Sequence, residues 1–107
     1  MQIATLVKKY VNDNVCEKIT LTGISKHLHY STVTITEHFK KEFGITVMAY
    51  VMEMKICQAE KMLTDPKIKI CEVSEALGFS NTECFSRSFK KHTGLSPTAW
   101  RHREMSI

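Results

Sequence analysis

Proline and glycine are scarce in this chain, with two and four residues among 107. No segment alternates apolar and polar residues, so a sheet built on tight hairpins has no basis. Long apolar runs are missing too. The longest, Val47–Met52, is closed by Glu53, well short of the roughly 18 residues a membrane span needs. The N-terminus has no apolar core followed by a cleavage site, so no leader is expected. Four cysteines are present (Cys16, Cys57, Cys71 and Cys84), but none forms a C-x-x-C pair and no histidine pair follows at zinc-finger distance. They read as reduced thiols of a cytosolic protein, with Cys57 and Cys84 as small apolar helix residues. His27 and His29 stand two apart, on different helix faces or across a turn. Neither metal nor cofactor is expected. No acid–base pair, nucleophile constellation or phosphate loop appears, which leaves an enzyme without support.

What is present suits a small helical protein. A hydrophobic content of 43% can build a core, and 24% charged residues is ordinary. The length fits one domain, or two very small ones sharing a core. The net charge is +4 and is split between the ends: six Lys against four acids in residues 1–50, balance in 51–64, and seven Lys/Arg against five acids in 65–107. Such an excess is weak evidence on its own.

The chain repeats itself once. Ile19, Ser25, Leu28 and Ser31 recur 49 positions later as Ile68, Ser74, Leu77 and Ser80, whereas Phe39, Lys40, Lys41 and Gly44 recur 50 positions later as Phe89, Lys90, Lys91 and Gly94. The one-residue slip is expected just after the central turn. Two like basic units point to two equivalent contacts with a periodic partner, for which duplex DNA is the obvious choice.

Apolar periodicity predicts an all-α chain of seven helices: about Gln2–Asn12, Leu21–Leu28, Thr32–Phe43, Val47–Leu63, Cys71–Leu77, Asn81–His92, and a last one starting at Ser96-Pro97. Thr20, Ser31 and Ser80 are the expected N-caps. Pro66 ends the long fourth helix. Tyr30, Phe39, Phe43, Phe79, Phe85, Phe89 and Trp100 are read as core. The organisation follows as a first helix-turn-helix subdomain over 1–45, a linker helix over 46–64 and a second subdomain over 65–107. In each copy a short helix closed by Leu28 or Leu77 leads through a positive-φ residue, His29 or Gly78, to a longer helix. At 1.5 Å per residue the linker spans roughly 25 Å, enough to serve two sites about one duplex turn apart.

The run GFSNTECFSRSFKKHTGLSPTAWR resembles the signature of the AraC/XylS regulators, with Gly78, Phe79, Phe85, Phe89, Lys90, Gly94, Pro97 and Arg101 on its pattern. The segment KICQAEKML is similar to the family's linker, and the resemblance reaches from Ile19 to Arg101. It implies two helix-turn-helix units bridged by one helix, in a bacterial regulator that binds double-stranded DNA, usually an activator contacting RNA polymerase. Base-reading positions carried over are Thr32, Val33, Thr36 and Glu37 in the first unit and Asn81, Thr82, Glu83, Ser86 and Arg87 in the second. Arg87 is suited to guanine and Glu83 to cytosine N4. Ser31, Lys40, Lys41, Ser80, Lys90, Lys91 and Arg101 are assigned to the DNA backbone, with Arg103 following the same logic and internal pairing the alternative for Arg101. The isolated domain is expected to be monomeric, cytoplasmic at the nucleoid, off the membrane and without a small-molecule site.

The first unit departs from the family pattern. Glu37 stands where Arg is common, no aromatic or basic residue occupies the region of Val33, and Lys55 replaces the usual linker Arg, a weaker partner for any bidentate internal pair. The second unit is therefore expected to dominate base readout. The first would read thymine methyl groups through Val33 and Thr36, or mainly position the protein. A helical protein-interaction module without DNA affinity is the alternative class.

Overall fold

A computed structural model describes residues 3–105. Among them are seven helices: α1 (Ile3–Asp13), α2 (Leu21–Leu28), α3 (Thr32–Phe43), α4 (Val47–Leu63), α5 (Ile70–Ala76), α6 (Thr82–Thr93) and α7 (Pro97–Met105). No described residue lies in a strand, so the all-α expectation holds. The bounds of α2, α3 and α4 are those the periodicity predicts. Gln2, the expected start of the first helix, lies outside the described residues. Helix α5 is shifted one residue towards the N-terminus, and α6 starts one residue later than expected. None of the described helices is long and apolar enough to cross a membrane.

The chain divides within α4 into two compact units, Met1–Met54 and Lys55–Ile107. In the first, α1 packs on α2 and α3 and buries Ala4, Val7 and Val11. These join Ile19, Ile24, Ile35, Phe39, Val47, Tyr50 and Val51 in one core. The first half of α4 closes this unit. In the second, the remainder of α4 plays the part of α1, burying Ile56, Ala59 and Leu63 with Val73, Leu77, Phe85, Phe89 and Trp100. Helix α7 then closes it. The two closures share their chemistry: Thr46 Oγ1 accepts from the Ala49 N–H at 3.1 Å, and Ser96 Oγ accepts from the Ala99 N–H at 3.1 Å. One turn on, Tyr50 meets Phe39 in a tilted contact at 5.5 Å between centroids, and Trp100 meets Phe89 edge-on at 5.9 Å.

Two aromatics expected in the core lie at the surface. Tyr30 is 39% and Phe43 37% exposed. Tyr30 sits in the turn between α2 and α3, where the backbone leaves the core. Phe43 is the last residue of α3; its ring meets Phe39 at a tilt, 4.9 Å between centroids, and Lys8 Nζ stands 5.0 Å over its ring. Cys57, read as a small apolar helix residue, lies on α4 and is exposed, and all four cysteines are free thiols.

The units differ in how their loops are held. In the first, the Tyr50 hydroxyl donates to Asn12 Oδ1 at 2.9 Å. In the second, two cations secure carbonyls. Buried Lys55 donates to the Leu77 carbonyl, the C-terminal end of the seven-residue α5. A helix that short is marginal alone, and an ammonium on its terminal carbonyls suits both the orphan acceptors and the dipole. Arg101 donates through Nε to the Leu63 carbonyl at 3.0 Å and through Nη2 to the Asp65 and Ile68 carbonyls. The guanidinium thereby ties the end of α4 and the following loop to α7. Its repeat counterpart, 50 positions earlier, is the buried Val51. Among the described residues no buried side-chain N or O lacks a hydrogen-bond partner.

Candidate nucleic-acid interface

Each unit builds a helix, a turn and a second helix from the same local devices. In the first, the Thr20 side chain accepts from the Gly23 N–H at 3.0 Å and starts α2. His29 then adopts the left-handed region at φ 63, the one non-glycine residue among those described to do so, and its N–H reaches the Ser25 carbonyl at 2.9 Å. Ser31 caps α3 by accepting from the Thr34 N–H at 3.1 Å. In the second unit Glu72 accepts from the Lys69 N–H at 2.8 Å and opens α5. Gly78, at φ 79, carries the turn, with the Phe79 N–H reaching back to the Ser74 carbonyl at 3.1 Å.

Asn81, not Ser80, caps α6: its side-chain oxygen accepts from the Cys84 N–H at 2.8 Å. The extra residue of the second copy lies inside the turn, so Asn81 takes the place of Ser31, 50 positions on. Asn is as good a cap as Ser.

A clamp on both turns escaped the reading by residue type. Ser25 Oγ donates to the Tyr30 carbonyl at 2.5 Å, and Ser74 Oγ to the Asn81 carbonyl at 3.0 Å. Each stitches its first helix to the start of its second. The available signal was their exact recurrence in the repeat, on helices where Ser is otherwise a poor choice.

The phase of each second helix is set by its core residues, Ile35 and Phe39 in α3 and Phe85 and Phe89 in α6. The residues expected to read bases occupy equivalent outward positions: Thr32, Val33, Thr36 and Glu37 on α3, and Thr82, Glu83, Ser86 and Arg87 on α6. Val33, Glu37, Glu83 and Arg87 are exposed, and the four hydroxyl residues are half-buried. On α3 the face forms a shallow groove of about 280 Å³ lined by Leu21, Thr32, Val33, Thr36 and Glu37. Leu21, the first residue of α2, was not among the expected site residues. On α6, Arg87 bends towards its own helix, with Nη2 3.8 Å from Cys84 Sγ. Together with Cys84, Ser88 and Lys91 it lines a hollow of about 260 Å³.

Lys40, Lys41, Lys90 and Lys91 are exposed in the last turns of α3 and α6, and Ser31, Ser80 and Asn81 are exposed at their starts. Arg101 is half-buried with its guanidinium on three carbonyls, the internal pairing weighed as the alternative to phosphate contact. Arg103 lies 3.3 Å from Glu104. His27 meets the Tyr10 ring at a tilt, 4.9 Å between centroids. No three His, Cys, Asp or Glu side chains among the described residues are grouped to hold a metal ion.

Two helix-turn-helix units with side-chain caps on their second helices, a positive-φ residue in each turn and matched outward positions define a helical DNA-binding fold. Residues 24–103 match the family model described as a helix-turn-helix domain, and the chain belongs to the AraC-type helix-turn-helix family of DNA-binding domains. It is 34% identical over 94 residues to the uncharacterized HTH-type transcriptional regulator YdiP of Escherichia coli K12, covering 88% of this chain and 31% of that protein. It is 33% identical over 101 residues to the bifunctional transcriptional activator/DNA repair enzyme AdaA of Bacillus subtilis, covering 94% of this chain and 47% of that one. The solved C-terminal domain of AraT, a response regulator from Geobacillus stearothermophilus, superposes with a TM-score of 0.92 at 26% identity, over 100% of this chain and 88% of that one. The chain spans about a third of the length of the first curated relatives it matches.

Proposed function

We propose that this chain is the sequence-specific, duplex-DNA-binding part of a bacterial transcription regulator working in the cytoplasm at the nucleoid. In this reading α3 and α6 each enter a major-groove segment of the same duplex, joined through α4, and a single copy suffices. The observation that carries it is the equivalence of α3 and α6: the same cap position, the same buried phase and the same outward positions, each with a lysine pair in its last turn. Thr32, Val33, Thr36 and Glu37, and Thr82, Glu83, Ser86 and Arg87, then face base edges. Asn81 stands at the helix start, where its side-chain oxygen is held by the cap.

The second unit leads in base readout, because Arg87 offers two parallel donors to guanine O6 and N7 while its counterpart Glu37 offers none. Lys40, Lys41, Lys90 and Lys91 neutralise phosphates, and the N-terminal N–H groups that follow the caps Ser31 and Asn81, with the Ser80 hydroxyl next to the latter, add further donors. Arg101 is assigned to internal support. Activation through RNA polymerase is the regulatory outcome proposed, in line with the activator named among the relatives.

Selection of bound duplexes from a random library, followed by titration at two salt concentrations, tests the reading. The expected result is an enriched site whose affinity falls steeply with salt, as neutralised phosphates require. A protein that enriches no sequence and shows no salt-dependent binding would instead be a helical protein-interaction module.

A further inference from the structure

We propose that the first helix-turn-helix reads a methylated base, 5-methylcytosine, through the groove beside α3; this rests on the DNA-binding reading above. The groove combines two chemistries at one place. Its wall is apolar: Leu21 from α2, the Val33 isopropyl group, 64% exposed, and the half-buried Thr32 and Thr36. The fifth lining residue is Glu37, an exposed carboxylate one helical turn beyond Val33, and no lining residue is a cation.

Base edges in the major groove can be sorted against that pair of features. Apolar contact there is offered by a pyrimidine C5-methyl group. An ionised carboxylate accepts only, so it needs an N–H donor and is repelled by a carbonyl oxygen or a ring nitrogen. Thymine brings the methyl group but sets the O4 acceptor beside it. Cytosine brings the N4 amino donor without a methyl group. In 5-methylcytosine the methyl on C5 and the amino group on C4 are neighbours on one ring, which matches a valine and a carboxylate on one face of one helix.

The second unit supplies the internal control. Fifty positions on, Val33 and Glu37 become Glu83 and Arg87, so the same scaffold keeps an apolar residue at the start of its first helix (Ile70 for Leu21) but presents charge where the first unit has the exposed isopropyl group and the carboxylate. Methyl recognition is therefore a property of the first unit alone.

The test uses the whole chain and its selected duplex. At each pyrimidine facing the first unit, thymine, uracil, cytosine and 5-methylcytosine are placed in turn with the matching purine, and affinity is read by fluorescence anisotropy. At one position 5-methylcytosine should bind about fourfold tighter than cytosine, the worth of one buried methyl group, and also tighter than thymine. Val33→Ala should bring the ratio of 5-methylcytosine to cytosine to about one, and Glu37→Gln should erase the preference over thymine. Both residues are exposed, so circular dichroism is expected to show both variants folded. Equal affinity for methylated and unmethylated cytosine at every position would overturn the proposal while leaving the DNA-binding reading intact. Thymine binding better than 5-methylcytosine would overturn it too, because the carboxylate would then have no part. Failure to bind the selected duplex in any form would overturn both readings together.

Discussion

The two units share a scaffold and differ in where their charge is placed. In the first, the Tyr50 hydroxyl holds Asn12, and Val51 is buried where the second unit has Arg101. Its outward helix carries Val33 and Glu37. In the second, cations do both jobs: Lys55 and Arg101 hold carbonyls inside, and Arg87 stands outside. A duplicated fold thus leaves its buried phase almost untouched, Ile35 and Phe39 against Phe85 and Phe89, while solvent-facing and loop-bracing positions diverge. Core positions are constrained by packing density. Outward positions answer to whatever the unit must touch.

The largest effect should come from the internal brace. Arg101→Ala leaves the Leu63, Asp65 and Ile68 carbonyls without their donor and should cost the second unit about 2–4 kcal/mol. Hydrogen exchange is expected to speed up in 55–105 much more than in 3–54. Arg101→Lys should recover less than half of the loss, because an ammonium cannot span the three acceptors as a planar fork does. Uniform loss of protection along the whole chain would break the contrast between the units.

Next comes the contrast on the outside. Arg87→Ala should weaken binding to the selected duplex by about tenfold and relax preference at one base pair, the usual worth of a bidentate guanine contact. Lys91→Ala, by comparison, should weaken all duplexes evenly and lower the salt slope by about one. Arg87→Ala binding every duplex as the parent does would remove the second unit's leading role.

Caps give a smaller and sharper comparison. Ser31→Ala and Asn81→Ala should each destabilise by about 1 kcal/mol in denaturant titration, whereas Ser80→Ala should be neutral within about 0.5 kcal/mol. A loss at Ser80 equal to that at Asn81 would move the cap back.

The turns provide a last comparison. Gly78→Ala places a side chain at φ 79 and should cost about 1–2 kcal/mol, while His29→Gly, at φ 63, should change stability by less than about 1 kcal/mol, since relief of the left-handed conformation is offset by a more flexible unfolded chain. Equal effects at both turns would show that histidine pays no conformational penalty there.

Much of this was legible before any coordinates. Helices α2, α3 and α4 and the left-handed His29 follow from periodicity and backbone sterics, which are local. The cap of α6 was not, because Ser31 and Ser80 are identical residues in nearly equivalent contexts. Matching them placed the one-residue slip after the turn, when it lies within it. The brace at Arg101 was visible only as an alternative, since it joins residues 33–38 positions apart. Tyr30 and Phe43 were misplaced because composition says aromatic and only geometry says rim. Leu21 carries no mark of its own; its place in the groove comes from the angle at which α2 meets α3.

The brace also decides how short a working piece of this polypeptide can be. A fragment ending at Trp100 would retain every ring of the second core yet lose the side chain that holds the loop after α4 in place. Trimming or tagging near that end should therefore spare Arg101, and a truncation series is expected to show its sharp drop in thermal midpoint at that residue, before any aromatic is removed.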